Sequence, residues 1–264
     1  MQTYLDLDRF ALDQPQSGEY AALVTRCRAE LAAGGMCNLD GFLRPAHAIA
    51  QVDDLTPAMD SDSFLHARDH NIYFQDTVPG LPDDHPALER FQTSNNTLCR
   101  DQLRGSIVDQ IYDWPPMRAF LADVMQKPML HPMADPLAGV NVMRYGEGQA
   151  LNWHFDRAEF TVTLLLQAPE AGGVFKYRTN LRDAQNPNYD GVGKLLRGQD
   201  PQMQQMDVVP GTLNIFRGVN TPHRVTPIQG ARARVIAVLT YFEKPDVMFS
   251  DAEQRGFYGR TATT

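Results

Sequence analysis

Beyond Pro136 the chain becomes a series of short β-type runs, and these limit its fold more than any other feature. Val140–Met143, Phe160–Leu166, Gly173–Tyr177, Thr212–Phe216 and Val235–Phe242 are rich in β-branched and aromatic residues and are separated by Gly and Pro, the pattern of a barrel or sandwich. Helical spacing belongs to the first half. Leu23, Cys27 and Leu31 mark one face of a helix from Tyr20 to Ala33 that stops at Gly34-Gly35, and Pro45 opens a short helix to Val52. Pro115-Pro116 opens another, with Met117, Phe120, Leu121 and Val124 on one face, ending near Lys127-Pro128. From Thr56 to Arg104 the pattern is weak, and Pro79, Pro82 and Pro86 make it read as long ordered loops with short helical pieces. Thr179–Asp207 reads as an insertion between strands that packs on the barrel through Tyr189, Leu195 and Leu196.

A chain of 264 residues is expected to form a single folded unit: residues 1–136 as a helical and loop part, 137–250 as the strand core and 251–264 as a C-terminal tail. Its 32 acidic against 24 basic residues give a net charge of −8, the wrong sign for a general nucleic-acid or anionic-membrane surface, so a small polar metabolite is the expected partner. Cys27, Cys37 and Cys99 are widely separated and form no Cys-x-x-Cys pair, which reads as neither a disulfide framework nor a structural zinc site, and places the protein in the cytoplasm. The acidic N-terminus lacks a signal peptide's features, and no run of about 18 apolar residues occurs to span a membrane.

Within the β-rich half, Asn152-Trp153-His154-Phe155-Asp156 is answered by a lone histidine in Thr221-Pro222-His223-Arg224-Val225. On a strand, residues i and i+2 project to one side, so His154 and Asp156 point together while Phe155 points away. Two imidazoles and one carboxylate hold Fe(II) by one face and leave the opposite positions open. His223 lies 69 positions after His154, a separation that a jelly-roll barrel closes. The other histidines, His47, His66, His70, His85 and His131, sit in helical or loop-like contexts, and His70 reads as structurally hydrogen-bonded. A His-Glu-x-x-His zinc signature is missing, as are the paired histidines and glutamate of a cupin metal site.

An Fe(II) centre of this kind needs a reductant to activate O₂. 2-Oxoglutarate is the common one, and its distal carboxylate calls for a cation, for which the arginine fork is suited. Arg232 and Arg234 follow the distal histidine on one face of a strand; Arg234 directly precedes the apolar run and is the preferred anchor. Tyr145, across what reads as a tight hairpin at Gly146-Glu147-Gly148, is a second candidate for that carboxylate. Asn141 is an inward polar candidate by parity, as is Thr240 on the last strand, whereas Arg224 is expected to point out of the barrel and Trp153 to form its wall.

The set Tyr145-x-x-Gly148, His154-x-Asp156, Pro210-Gly211-Thr212, His223-Arg224-Val225-Thr226-Pro227 and Gly230-x-Arg232-x-Arg234 resembles the Fe(II)/2-oxoglutarate-dependent oxygenases. More narrowly, Asn152–Arg157 with Phe160–Gln167 and the tail Arg255–Arg260 resemble the bacterial free amino-acid radical halogenases and their hydroxylase relatives. The resemblance covers about Gly139 to Arg260. It implies a mainly β (α+β) fold with a double-stranded β-helix, jelly-roll and cupin-like, behind an N-terminal helical segment. It also implies that decarboxylation of 2-oxoglutarate, with O₂, generates an oxidant for C–H bonds. Halogenases of this group carry Gly at the carboxylate position, where chloride enters; Asp156 stands there in this chain, so hydroxylation is expected. The reading is therefore a hydroxylase acting on a free amino acid or similar small metabolite, with His154, Asp156 and His223 on iron and Arg234, Arg232, Tyr145 and Asn141 around 2-oxoglutarate. Desaturation, cyclisation or halogenation by the same iron chemistry, and a non-catalytic jelly-roll binding module, are the alternatives.

Overall fold

The structure, a computed structural model, describes residues 1–78 and 80–262, so Pro79 and the last two residues of the expected tail lie outside the described residues. Its helices are α1 (Gly18–Gly34), α2 (Pro45–Ser61), α3 (Ile107–Asp113), α4 (Pro115–Met125), α5 (Tyr189–Leu196) and α6 (Asp251–Tyr258). The strands of the first half are β1 (Met36–Leu39), β2 (Phe64–His70), β3 (Phe91–Leu98) and β4 (His131–Pro132). Then come β5 (Val140–Tyr145), β6 (Leu151–His154), β7 (Thr161–Gln167), β8 (Ala171–Gly172), β9 (Phe175–Tyr177), β10 (Gln204–Met206) and β11 (Leu213–Phe216). The chain continues through β12 (His223–Val225), β13 (Ile228–Gln229), β14 (Arg234–Leu239) and β15 (Tyr241–Phe242). A seven-stranded sheet runs in the order β1-β11-β7-β14-β5-β3-β2, and a four-stranded sheet runs β10-β9-β12-β6. All their pairings are antiparallel, the arrangement of the expected double-stranded β-helix.

Period-2 alternation divides the large sheet cleanly. Val140 and Val142, Val162, Leu164 and Leu166, Leu213 and Ile215, and Val235, Ala237 and Leu239 face outward into the core built with α1 to α4. Asn141 and Tyr145, Thr161 and Thr163, Asn214 and Arg234 take the opposite parity and line an internal cavity. Because both faces are covered, these strands read as almost continuous apolar runs. Each large outward side chain contributes on the order of 1.5–3 kcal/mol by leaving water. The Thr179–Asp207 insertion also packs down: Val192 and Leu195 of α5 join Trp153 and Phe155 outside the small sheet.

Three expectations fail for physical reasons. α2 runs through Pro57 to Ser61 instead of stopping near Val52, because Leu55 and Met59 are buried on either side of the proline while Pro57 itself faces solvent. The supposed loops between Thr56 and Arg104 contain β2 and β3, paired along their length. Their inner face, including Thr93, Asn95 and Thr97, borders the cavity and is polar, so no apolar alternation marks it. The turn after Tyr145 closes no hairpin: β5 belongs to the large sheet and β6 to the small one, so Gly146–Gln149 carries the chain between sheets. Within the C-terminal tail, residues 251–258 form α6, capped by Ser250 and Glu253 and docked where Gln254 donates to Asp135 and Tyr258 to Asn141. Among the described residues no helix is long and apolar enough to cross a membrane, and Cys27, Cys37 and Cys99 are free and buried.

Candidate functional site

His154 ends β6 and His223 begins β12, and the antiparallel register sets the two directly opposite each other. Their ring centroids are 4.1 Å apart. Asp156 lies two residues beyond the strand end, with its N–H donating to the Gly218 carbonyl at 3.1 Å. Phe155 turns the other way, against Tyr73 at 5.4 Å and the Arg182 guanidinium at 3.8 Å. Asp156 Oδ1 is 3.3 Å from His154 Nε2 and 3.7 Å from His223 Nε2. Donor atoms of the three residues all lie within 4.8 Å of one another. Neighbouring ligands around one ion with bonds of ~2.1 Å sit roughly 3 Å apart, so the donor set fits a single metal held on one face.

Each ligand atom is freed by a hydrogen bond made elsewhere on its own side chain. His154 Nδ1 meets the Asn152 carbonyl at 2.8 Å and His223 Nδ1 the Thr221 carbonyl at 3.1 Å, which places the proton on Nδ1 and the lone pair on Nε2. Thr161 Oγ1 donates to Asp156 Oδ2 at 2.6 Å and leaves Oδ1 facing the two imidazoles. Burial alone would raise the Asp156 carboxyl, but His223, His154 and Thr161 together hold it well below the usual carboxylate range, so it stays an anion. Burial first, then His154, pushes the His223 imidazole down to about 4 and keeps it neutral at ordinary pH.

Gly218 supplies room. A Cβ there would lie 1.9 Å from Asp156 Oδ2. Sequence reasoning missed both Thr161 and Gly218; five residues and a whole barrel turn, respectively, separate them from Asp156, and only the folded register shows the contacts.

The cavity encloses ≈ 330 Å³, and the three donor residues line it. Arg234 is on its wall, 5 % exposed, with no hydrogen bond or ion pair among the described residues. A buried, unpaired guanidinium is costly unless an anion from outside completes it. Tyr145 stands opposite Arg234 in the β5–β14 register, and burial pushes its phenol up to about 12, leaving it a proton donor. These two fit a ligand carboxylate.

Arg232 does not join them, contrary to the shared-face expectation. β14 begins only at Arg234, and Arg232 is exposed on the preceding turn, donating to the Ala168 and Pro169 carbonyls. Asn141 lines the cavity, but its Nδ2 donates to the Leu137 carbonyl and its Oδ1 accepts from Tyr258. Thr240 falls beyond β14, off the cavity wall, where its carbonyl accepts from Tyr112. Arg224 points outward over Trp153 at 5.1 Å. His66 and His70 lie on β2, not in a loop, and line the cavity. Both nitrogens of His70 are engaged, by the Asn71 carbonyl and Thr93.

The family model described as Halogenase D matches residues 92–254, more than half of the chain. No curated protein matches the sequence. Among solved structures, a prolyl-4-hydroxylase from Pseudomonas putida is similar at 15 % identity and TM-score 0.52, over 84 % of this chain and 100 % of that one. The non-heme alpha ketoglutarate dependent epimerase SnoN from nogalamycin biosynthesis is similar at 12 % identity and TM-score 0.58, over 84 % of each chain. HygX from Streptomyces hygroscopicus, solved with nickel, 2-oxoglutarate and hygromycin B, is similar at 12 % identity and TM-score 0.54, over 82 % of this chain and 86 % of that one. At these identities the likeness is one of fold.

Proposed function

This chain belongs to the halogenase D family and has the fold of Fe(II)/2-oxoglutarate oxygenases, and from that premise we propose that it is a hydroxylase of an unactivated C–H bond in a free amino acid or similar small metabolite. The observation that carries this reading is the close approach of His154, Asp156 and His223 donor atoms with the carboxylate still in the set. In this reading His154 and His223 each offer an Nε2 atom, and Asp156 fills the third position, which bars halide from it. Fe(II) held there would, with 2-oxoglutarate and O₂, supply the oxidant for hydroxylation of a C–H bond, with succinate and CO₂ as the other products. Arg234 holds the distal carboxylate of 2-oxoglutarate, and Tyr145 donates beside it. Support comes from the uncompensated charge of Arg234 and from the groups held by solved structures of similar fold: nickel and 2-oxoglutarate in HygX, Fe³⁺ and alpha ketoglutarate in SnoN. The chain works as one unit in the cytoplasm in this reading, a placement that rests on its three unpaired, buried thiols.

Anaerobic addition of Fe(II) and 2-oxoglutarate tests the reading: a visible charge-transfer band is expected only with both present. Product mass then separates gain of one oxygen from loss of two hydrogens or gain of chlorine. Asp156→Ala is expected to abolish hydroxylation and Asp156→Gly to admit halide. Full turnover by Asp156→Ala would overturn the assignment.

A further inference from the structure

The charge on the cavity wall is one-sided. Arg68, Arg157 and Arg234 line it, and Asp156 is the one carboxylate there among the described residues. Arg234 is used by 2-oxoglutarate in the reading above and Asp156 by the metal, which leaves two cations without a task. Both are exposed, and so they mark the mouth. Arg68 makes no hydrogen bond or ion pair among the described residues and rests over the Phe74 ring at 5.0 Å. The acid contact of Arg157 is Glu253 at 3.5 Å, with both side chains largely in water (74 % and 41 % exposed), an arrangement worth little.

A second observation points to what these cations receive. The β2–β3 register sets His66 opposite Asn95 and Arg68 opposite Thr93, so all four share the face that lines the cavity. Asn95 is 3 % exposed. Its Oδ1 accepts from Thr97 at 2.6 Å, while its Nδ2 meets no acceptor among the described residues and faces the cavity. An amide donor open to the cavity in this way offers a hydrogen bond to an acceptor on a ligand. Burial, and then Arg68, lowers the His66 imidazole, so it adds no compensating acid and no strong charge. Above them the turn after β2 is pinned by Asn71, whose Oδ1 accepts from the Tyr73 and Gln75 backbone N–H groups. This presents Phe74, 41 % exposed and at φ 55°, beside the mouth, with its ring 6.2 Å from that of His154.

We propose that the mouth is an oxyanion clamp: Arg68, Arg157 and Asn95 Nδ2 receive a carboxylate at the far end of the substrate, whose apolar chain lies along Phe74 towards His154. The proposal rests on the hydroxylase reading and names its substrate class. The far end of the substrate is an acid; an ammonium group at that end is rejected, because the two arginines at the mouth repel it.

Three amino acids of matched length test this: L-2-aminoadipate, L-norleucine and L-lysine, ending in an acid, a methyl and an ammonium group. Binding of each is measured by calorimetry on anaerobic protein with Fe(II) and 2-oxoglutarate added. 2-Aminoadipate is expected to bind roughly tenfold or more tightly than norleucine, the value of one charge-assisted hydrogen bond, with lysine weakest. Arg68→Gln and Arg157→Gln, both at exposed positions and checked for unchanged melting, are each expected to erase most of that advantage and to leave norleucine within about twofold. Lysine binding as tightly as 2-aminoadipate, binding by none of the three, or variants that leave 2-aminoadipate unaffected would each overturn the clamp. The charge-transfer band is recorded on the same samples. A band without acid preference overturns the clamp alone, and acid preference without a band overturns the iron reading while the clamp stands.

Discussion

Replacing Gly218 with alanine adds one methyl group, and the structure says where it goes: 1.9 Å from Asp156 Oδ2, 2.6 Å from Cγ and 2.8 Å from Cβ. Ordinary contact begins near 3.4 Å, so the carboxylate must retreat by roughly 1.5 Å, several times the ~0.2 Å tolerance of a ligand bond. Retreat is opposed on two sides, by the Asp156 N–H bond to the Gly218 carbonyl and by the Thr161 hydroxyl on Oδ2. Gly218 does not have a positive φ, so backbone strain does not enter and the whole effect is steric. Overpacking of this kind costs about 1–3 kcal/mol, a fall in melting temperature of roughly 2–10 °C for a chain of this size. Metal affinity should fall by about 10–100-fold, the usual consequence of removing what holds a ligand in place. The assay is Co(II) binding by calorimetry together with thermal melting of the metal-free protein, on wild type, Gly218→Ala, Asp156→Gly and the double variant. In the Asp156→Gly background the methyl group meets empty space, so the alanine should then cost less than about 0.5 kcal/mol. Wild-type affinity and melting in Gly218→Ala, or the same penalty with and without the aspartate, would refute the reasoning.

Arg234→Gln should raise the 2-oxoglutarate dissociation constant by roughly 10–100-fold, and Arg234→Met should raise the melting temperature of the ligand-free protein by removing a buried, unpaired charge; Arg232→Gln should change neither, and equal effects at both positions would show that the anchor is wrongly assigned. Acid should destabilise the metal-free protein: the unfolded chain protonates His223 near 6.5 while the folded one resists to about 4, so stability is complete above the higher value and is lost as pH falls through that window, by about 3 kcal/mol. His66 and His70, both lowered mainly by burial, act with the same sign. Urea midpoints taken across this range should fall for wild type and fall less steeply for His223→Asn, and a flat wild-type profile would contradict the burial argument.

The large sheet was legible in sequence because its central strands are covered on both faces, so Val162–Leu166 and Val235–Leu239 announce themselves by apolar content alone. β2 and β3 were not, since the face that would have shown alternation carries Thr93, Asn95 and Thr97 for the cavity. Site chemistry concealed secondary structure there. The convergence of His154, Asp156 and the distant His223 could be read because their residue types are uncommon together on strands. Arg232 misled because parity was counted back through a turn, and two-residue alternation holds only once the strand has begun at Arg234. Thr161 and Gly218 carry no residue-level signal; a threonine on a strand and a glycine at a corner are ordinary until the fold lays them against one carboxylate.

The two imidazoles are oriented by main-chain carbonyls two positions upstream, Asn152 for one and Thr221 for the other. No side-chain replacement elsewhere can delete those acceptors. The carboxylate alone depends on residue types elsewhere in the chain: a hydroxyl at position 161 and the lack of a methyl at position 218. Mutational drift can therefore dismantle the acidic ligand in one or two steps while both nitrogen donors keep their aim, so a lineage built on this barrel can trade one coordination position for another anion without first losing its hold on the metal.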